Sequence, residues 1–206
     1  MKKVYVFFFS TCFKTGAAIR FVTRNKYNHV AFSFAPNTKQ LYSYARYRYH
    51  EPILSGFGIE STDRYAAGHT VEIRVCELAV SDERYEQIQQ RIEYYTTIAP
   101  KTRYNFFDLL LYPIWHHHVE LKYTHTCLSF LCEVLDIRGI HTISQLQRQL
   151  KANIVYEGPL SGFETEPSQG QVDFYERRNR AWVMAKNGLT LCGLAASLLK
   201  NWYHAI

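Results

Sequence analysis

The chain has 206 residues, of which 47% are hydrophobic, 16% aromatic and 20% charged. That suits one large domain or two small ones with a sizeable core, and excludes intrinsic disorder; only 10 Gly and 6 Pro exclude a collagen-like or linker-rich chain. The net charge of +6 is spread out, with no run of five or six like charges. Met1-Lys2-Lys3 and the apolar residues 4–9 imitate a signal peptide. The apolar stretch is shorter than the ~7–15 residues of an h-region, and no A-x-A-like site follows, so it is read as a buried first strand. Residues 15–23 predict a short helix with Thr15 as N-cap. Residues 29–34 alternate, turn at Ala35-Pro36-Asn37-Thr38, and pair as a hairpin with residues 41–47.

Residues 71–80 alternate as a further strand, and residues 81–99 carry helical spacing, with Asp82 and Glu83 well placed in the first turn. A helix is expected over 105–112, ended or kinked by Pro113. Residues 127–135 form an apolar helix that either Thr124 or Thr126 can cap. A helix over 144–150 and a strand over 153–156 follow, then a polar linker over 163–170 and a helical tail over 172–206. The apolar segment 189–199 of that tail is too short to span a bilayer. Packing on the domain or a partner is favoured for it over contact with a membrane surface.

Five cysteines (Cys12, Cys76, Cys127, Cys132 and Cys192) make an odd set without a C-x-x-C pair. That pattern fits reduced thiols in the cytoplasm, not a disulfide scaffold or a structural zinc site. The basic groups Lys14, Arg20, Arg24, Lys26 and Arg177, Arg178, Arg180 read as solvated surface. Without zinc-finger spacing or an RNP-type motif, a nucleic-acid partner is not expected.

The informative pair is His29 and Cys127. A thiol at a helix N-terminus feels the macrodipole and the unpaired N–H groups, both of which favour the thiolate. A thiolate is the nucleophile for acyl transfer, and an imidazole can serve as its base and later as the acid. The helix N-terminal amides could then bind an oxyanion. Cys132 lies about 140° round the helix from Cys127 and is expected in the core. A rival site, His116, His118 and Glu120 with His125 nearby, has ligand types that suit zinc. Its place in a loop between two helices favours a solvated segment, so no metal and no cofactor is expected.

The ordered pieces resemble the circularly permuted papain-like cysteine hydrolases, the YiiX-like branch related to NlpC-type peptidases and to lecithin–retinol acyltransferase. They are Asn28-His29-Val30-Ala31-Phe32-Ser33, Leu41-Tyr42-Ser43-Tyr44-Ala45-Arg46, Gly56-Phe57-Gly58-Ile59-Glu60, Tyr104-Asn105, Thr126-Cys127-Leu128-Ser129-Phe130-Leu131 and Ile154-Val155-Tyr156-Glu157-Gly158. The resemblance covers residues 1–163 and leaves 164–206 outside as linker and tail. It implies an α+β fold, an antiparallel sheet packed against helices, with Cys127 as nucleophile and His29 as base. The expected activity is hydrolysis or acyl transfer on a peptide, amide or acyl substrate. Leu128 departs from the small Ser frequent after the nucleophile.

The residue that orients the imidazole is harder to assign. If Phe34 pairs with Leu41, Tyr44 shares the face of His29, and the family alignment also points to Tyr44; a slip of one residue substitutes Ser43. Tyr104 is expected to line the cleft, and Glu60 is read as an exposed strand-end carboxylate. Because a tyrosine is a weak orienting partner, the alternative is a catalytically silent module that binds a peptide, lipid or protein.

Overall fold

The computed structural model describes residues 1–11, 13, 20, 25–36, 40–51, 53–66, 70–115, 118–163 and 174–204. The expected helix over 15–23 falls outside these except for Arg20, as do most of the linker and the tip of the first hairpin. The fold is mixed α+β, with an antiparallel sheet packed against several helices. Six strands, β1 (Lys2–Ser10), β2 (His29–Ser33), β3 (Leu41–Arg46), β4 (Ser55–Glu60), β5 (Glu72–Val80) and β8 (Ile154–Pro159), lie in the order β4-β3-β2-β1-β5-β8. Two short strands, β6 (Arg103–Tyr104) and β7 (Thr124–His125), form a separate parallel pair.

β1 is central, pairing with β2 on one side and β5 on the other. A strand covered on both faces needs a continuous apolar run, and Val4 to Phe9 are all buried. Burying each phenylalanine there stabilises the fold by about 1.5–3 kcal/mol. Val4, Val6 and Phe8 point to one face, where α2 (Asp82–Ile98), α4 (Cys127–Val134) and α5 (Ile143–Gln149) bring Ile88, Ile92, Phe130, Leu131 and Leu146. Tyr5, Phe7 and Phe9 point to the other, covered by Tyr65, Leu160 and Phe174. Tyr65 belongs to α1 (Asp63–Ala66), a single helical turn after β4.

The helix starts follow cap chemistry. Ser81 accepts from the Arg84 amide at the head of α2, and Thr126, not Thr124, caps α4. α3 (Phe106–Trp115) continues past Pro113 instead of ending there. β4 is legible in the sequence only as the strand end at Glu60, because glycines at 56 and 58 interrupt the β pattern, and α1 was not anticipated. In β4, Gly56 is required by crowding, since a Cβ there would lie 2.4 Å from the Tyr47 hydroxyl and 2.9 Å from the Thr102 carbonyl. The C-terminal helix α6 (Arg180–His204) begins later than the expected tail and is largely exposed.

Candidate active site

Thr126 and Ser129 form a reciprocal cap at the start of α4: the Thr126 side chain accepts from the Ser129 amide, and Ser129 Oγ accepts from the Thr126 amide. Cys127 is therefore the first helical residue, buried where α4 packs on β2 and β3. Its thiol lies close enough to His29, the first residue of β2, and to the Val30 main chain for both to lower its pKa. The structure thus brings together the two residues that the sequence singled out.

The other side of the imidazole is held by a carboxylate. His29 Nε2 is 3.2 Å from Glu60 Oε2 and 3.3 Å from Ser43 Oγ. Ser43 spends its own proton on the Val30 carbonyl at 3.1 Å, so it can only accept from His29. Nε2 therefore carries a proton. Glu60 is fixed in turn by the Tyr65 hydroxyl, which donates to Oε2, and by Arg64, whose Nη1 lies 3.4 Å from Oε1. The Tyr65 ring stacks on Phe9 at 4.5 Å between centroids, and both rings flank the imidazole at 6.0 Å.

Burial alone would lower the imidazole pKa, but the charge of Glu60 and hydrogen bonds to Cys127 and Glu60 raise it to about 9. Burial alone would raise Glu60, but Arg64, His29 and the Tyr65 hydroxyl hold it near 2. Burial likewise pushes the Cys127 thiol up, and the His29 bond and charge with the Val30 amide and Tyr104 bring it below the ordinary thiol range. Two other cysteines have no such partners. Burial drives Cys76 to about 11 and Cys132 to about 12. Among these three, Cys127 alone has its thiol pKa lowered, beside an imidazole whose pKa is raised.

Tyr104 Oη lies 4.0 Å from Cys127 Sγ and also takes the Cys127 main-chain N–H. Tyr44 requires correction. Phe32 pairs with Tyr42, one residue off the expected register. A one-residue slip exchanges the faces of a strand, so Tyr44 joins Val30 and Phe32 beneath the helices, while Ser43 joins His29. The Tyr44 ring packs against Phe57, Tyr95, His125 and Phe130 and does not orient the imidazole.

Glu60 ends its strand as expected but is not exposed: it is 2% exposed. Its signal was the strand end followed at once by Arg64 and Tyr65, which a single helical turn folds back over it. In the rival metal segment, His116 lies outside the described residues. His118 Nδ1 is 2.9 Å from Asp108, and its Nε2 is 2.7 Å from His141, so both ring nitrogens are engaged. Among the described residues no group of three or more side chains is arranged to hold a metal ion. Comparisons with family models, curated proteins and solved structures find no match to this chain.

Proposed function

We propose that the protein is a cysteine-dependent hydrolase or acyltransferase of the permuted papain-like, NlpC-related type, acting on an amide or ester through a thioester. The observation that carries this reading is His29 standing between the Cys127 thiol and the buried Glu60 carboxylate. The order of the pieces supports it too: an early histidine on a sheet strand and a late cysteine opening a helix packed on that strand.

The thiol proton resides on His29 Nδ1. Cys127 Sγ attacks the substrate carbonyl carbon, forming the S–C bond and sending the π electrons to oxygen. The substrate oxygen displaces Tyr104 Oη from the Cys127 main-chain N–H, and that N–H together with the proton of the Tyr104 hydroxyl stabilises the oxyanion. Collapse breaks the bond to the leaving amine or alcohol, which takes the proton from His29. An incoming water or amine then gives its proton to His29 and displaces the thiolate, completing hydrolysis or transfer. Glu60 is the positioning residue, which keeps Nε2 protonated and Nδ1 aimed at sulfur.

The catalytically silent alternative was motivated by a weak orienting tyrosine. Glu60 takes that place with a carboxylate, so no specific observation now favours it. The cytoplasm remains the proposed compartment of this domain, because an unpaired, low-pKa cysteine needs a reducing environment.

The test is thiol alkylation across pH with the modified site identified by mass spectrometry, followed by screening amides and esters. Cys127 is expected to react fast below neutral pH and to slow by about 100-fold in His29→Ala. Cys127→Ala is expected to lose at least ~10³-fold of any turnover found. A Cys127 no more reactive than Cys76, or turnover untouched in Cys127→Ala, would overturn the mechanism.

A further inference from the structure

β3 and β4, with the residues just after β3, border a pocket of about 220 Å³. Ala45, Gly56 and Gly58 carry a small side chain or none, which leaves the space open. A Cβ on Gly58 would meet only the Tyr47 ring, at 3.8 Å. Four arginines line the same pocket: Arg46, Arg48, Arg64 and Arg178. Its lining does not include His29 or Cys127, so it is distinct from the place where a carbonyl would be attacked.

The charges around this pocket do not balance. Arg48 pairs with Glu176 at 3.3 Å, Arg178 with Glu51 at 3.7 Å and Arg64 with Glu60 at 3.4 Å. Glu60 also serves His29, so Arg64 has only a share of its charge. Among the described residues Arg46 has no carboxylate of its own. Its Nη1 donates to the Tyr49 carbonyl, and its guanidinium lies over the Phe13 and Tyr49 rings. Arg64 is 5% exposed, and its buried Nε–H has no hydrogen-bond partner. Arg64 Nη2 donates to the Arg46 main-chain carbonyl at 2.9 Å, which fixes one arginine beside the other. Burial and the Arg64 charge pull the Arg46 guanidinium below its ordinary pKa. Two cations held together away from water, one with an unused donor, are costly unless an anion joins them.

The volume equals that of about seven waters at ~30 Å³ each, enough for a phosphate group and the atoms next to it. A carboxylate offers two oxygens in one plane, whereas a phosphate group offers three in different directions. The second suits guanidinium groups that come from separate elements, the end of β3 and α1. Glu60 also lines the pocket, and Arg64, His29 and the Tyr65 hydroxyl already surround its charge. We propose that this pocket binds a phosphate group, as free phosphate or a phosphate monoester, held by Arg46 and the Nε–H of Arg64. This site does not depend on the chemistry of Cys127.

The test is calorimetric titration of the full chain with inorganic phosphate, phenyl phosphate and acetate, at ionic strength held constant with chloride. Phosphate is expected to bind once per chain with a Kd of about 1 mM or below, at least ~10-fold tighter than acetate. Tighter binding of phenyl phosphate than of inorganic phosphate would assign the site to a monoester, and the reverse to the free ion; either supports it. Arg46→Gln should weaken phosphate binding by about 10- to 100-fold. Gly58→Val fills the pocket without removing an arginine and should abolish the binding. Both variants should unfold cooperatively without phosphate, and phosphate should raise the denaturation midpoint of the wild type alone. The proposal would be overturned by no saturable binding up to about 20 mM phosphate, or by acetate binding tighter than phosphate. Equal phosphate binding in the wild type and both variants would place the ion elsewhere and overturn it too.

Discussion

Two histidines of this protein have nearly the same neighbours and opposite proton affinities. His29 has Glu60 at 3.2 Å and a tyrosine, Tyr65, bonded to that carboxylate. His125 has Glu133 at 3.4 Å and a tyrosine, Tyr95, that bonds both the imidazole and that carboxylate. His29 is raised, whereas burial outweighs Glu133 and lowers His125. The carboxylates differ in solvent access: the Glu60 side chain is 2% exposed and the Glu133 side chain 49%. Water screens Glu133, so its charge cannot offset the burial of the ring. Glu60 is closed off from water, and Arg64, His29 and the Tyr65 hydroxyl hold it ionised. A carboxylate near a histidine is not enough to make a thiol's base; it must be buried and kept charged by a third group.

Removing the charge of Glu60 is therefore the most damaging way to break the comparison. Glu60→Gln keeps the shape but leaves Arg64 as a buried cation without its counter-ion, a loss of about 3–5 kcal/mol. His29 should fall back toward an ordinary imidazole, and Cys127 alkylation at pH 6 should drop by about 10- to 100-fold. Chemical denaturation and the alkylation assay read the two effects separately. Adding Arg64→Gln should restore part of the stability but none of the reactivity. The parallel change Glu133→Gln, at a solvated carboxylate, should cost at most about 1 kcal/mol and leave Cys127 as it was.

The pH dependence of stability sharpens the contrast, because the two histidines contribute with opposite signs. His29, raised from 6.5 to about 9, contributes stability that is complete below about pH 6.5 and lost as the pH rises through about 9. Glu60, lowered from 4.5 to about 2, contributes stability that is present above about pH 4.5 and lost as the pH falls toward about 2. His125 is depressed, so its contribution is present above its ordinary 6.5 and lost on acidification. Denaturation midpoints across pH should show His29→Gln flattening the alkaline limb by about 1–3 kcal/mol. His125→Gln should instead flatten a smaller loss below pH 6.5. If both variants altered the same limb, the distinction between the two sites would fail.

The sequence disclosed the parts of the site that rest on pattern and hid those that rest on register. β1 was legible because a strand buried on both faces must be continuously apolar, and α4 because an apolar run follows a threonine cap. These place His29 and Cys127. β4 was obscured by Gly56 and Gly58; Gly56 is there because Tyr47 and Thr102 crowd the backbone, not because the strand breaks. A strand-end position alone does not show that α1 folds back over Glu60 and buries it. The partner of His29 then depended on the β2–β3 register alone, and apolar residues on both faces of these strands leave that register open to a slip of one.

That slip leads to the smallest expected effects, which separate Tyr44 from Ser43. Ser43→Ala removes one of the two acceptors on His29 Nε2, while Glu60 still holds it, so Cys127 reactivity should fall by only about 3- to 10-fold. Tyr44→Phe removes a hydroxyl on the opposite face, among aromatic rings that stay in place. Cys127 alkylation in Tyr44→Phe should match the wild type to within about twofold at every pH. A large loss there would mean that Tyr44 reaches the imidazole in solution and that β2 and β3 pair in the other register. The two substitutions stand next to each other in the chain, so a difference between them can come only from the face on which each side chain lies.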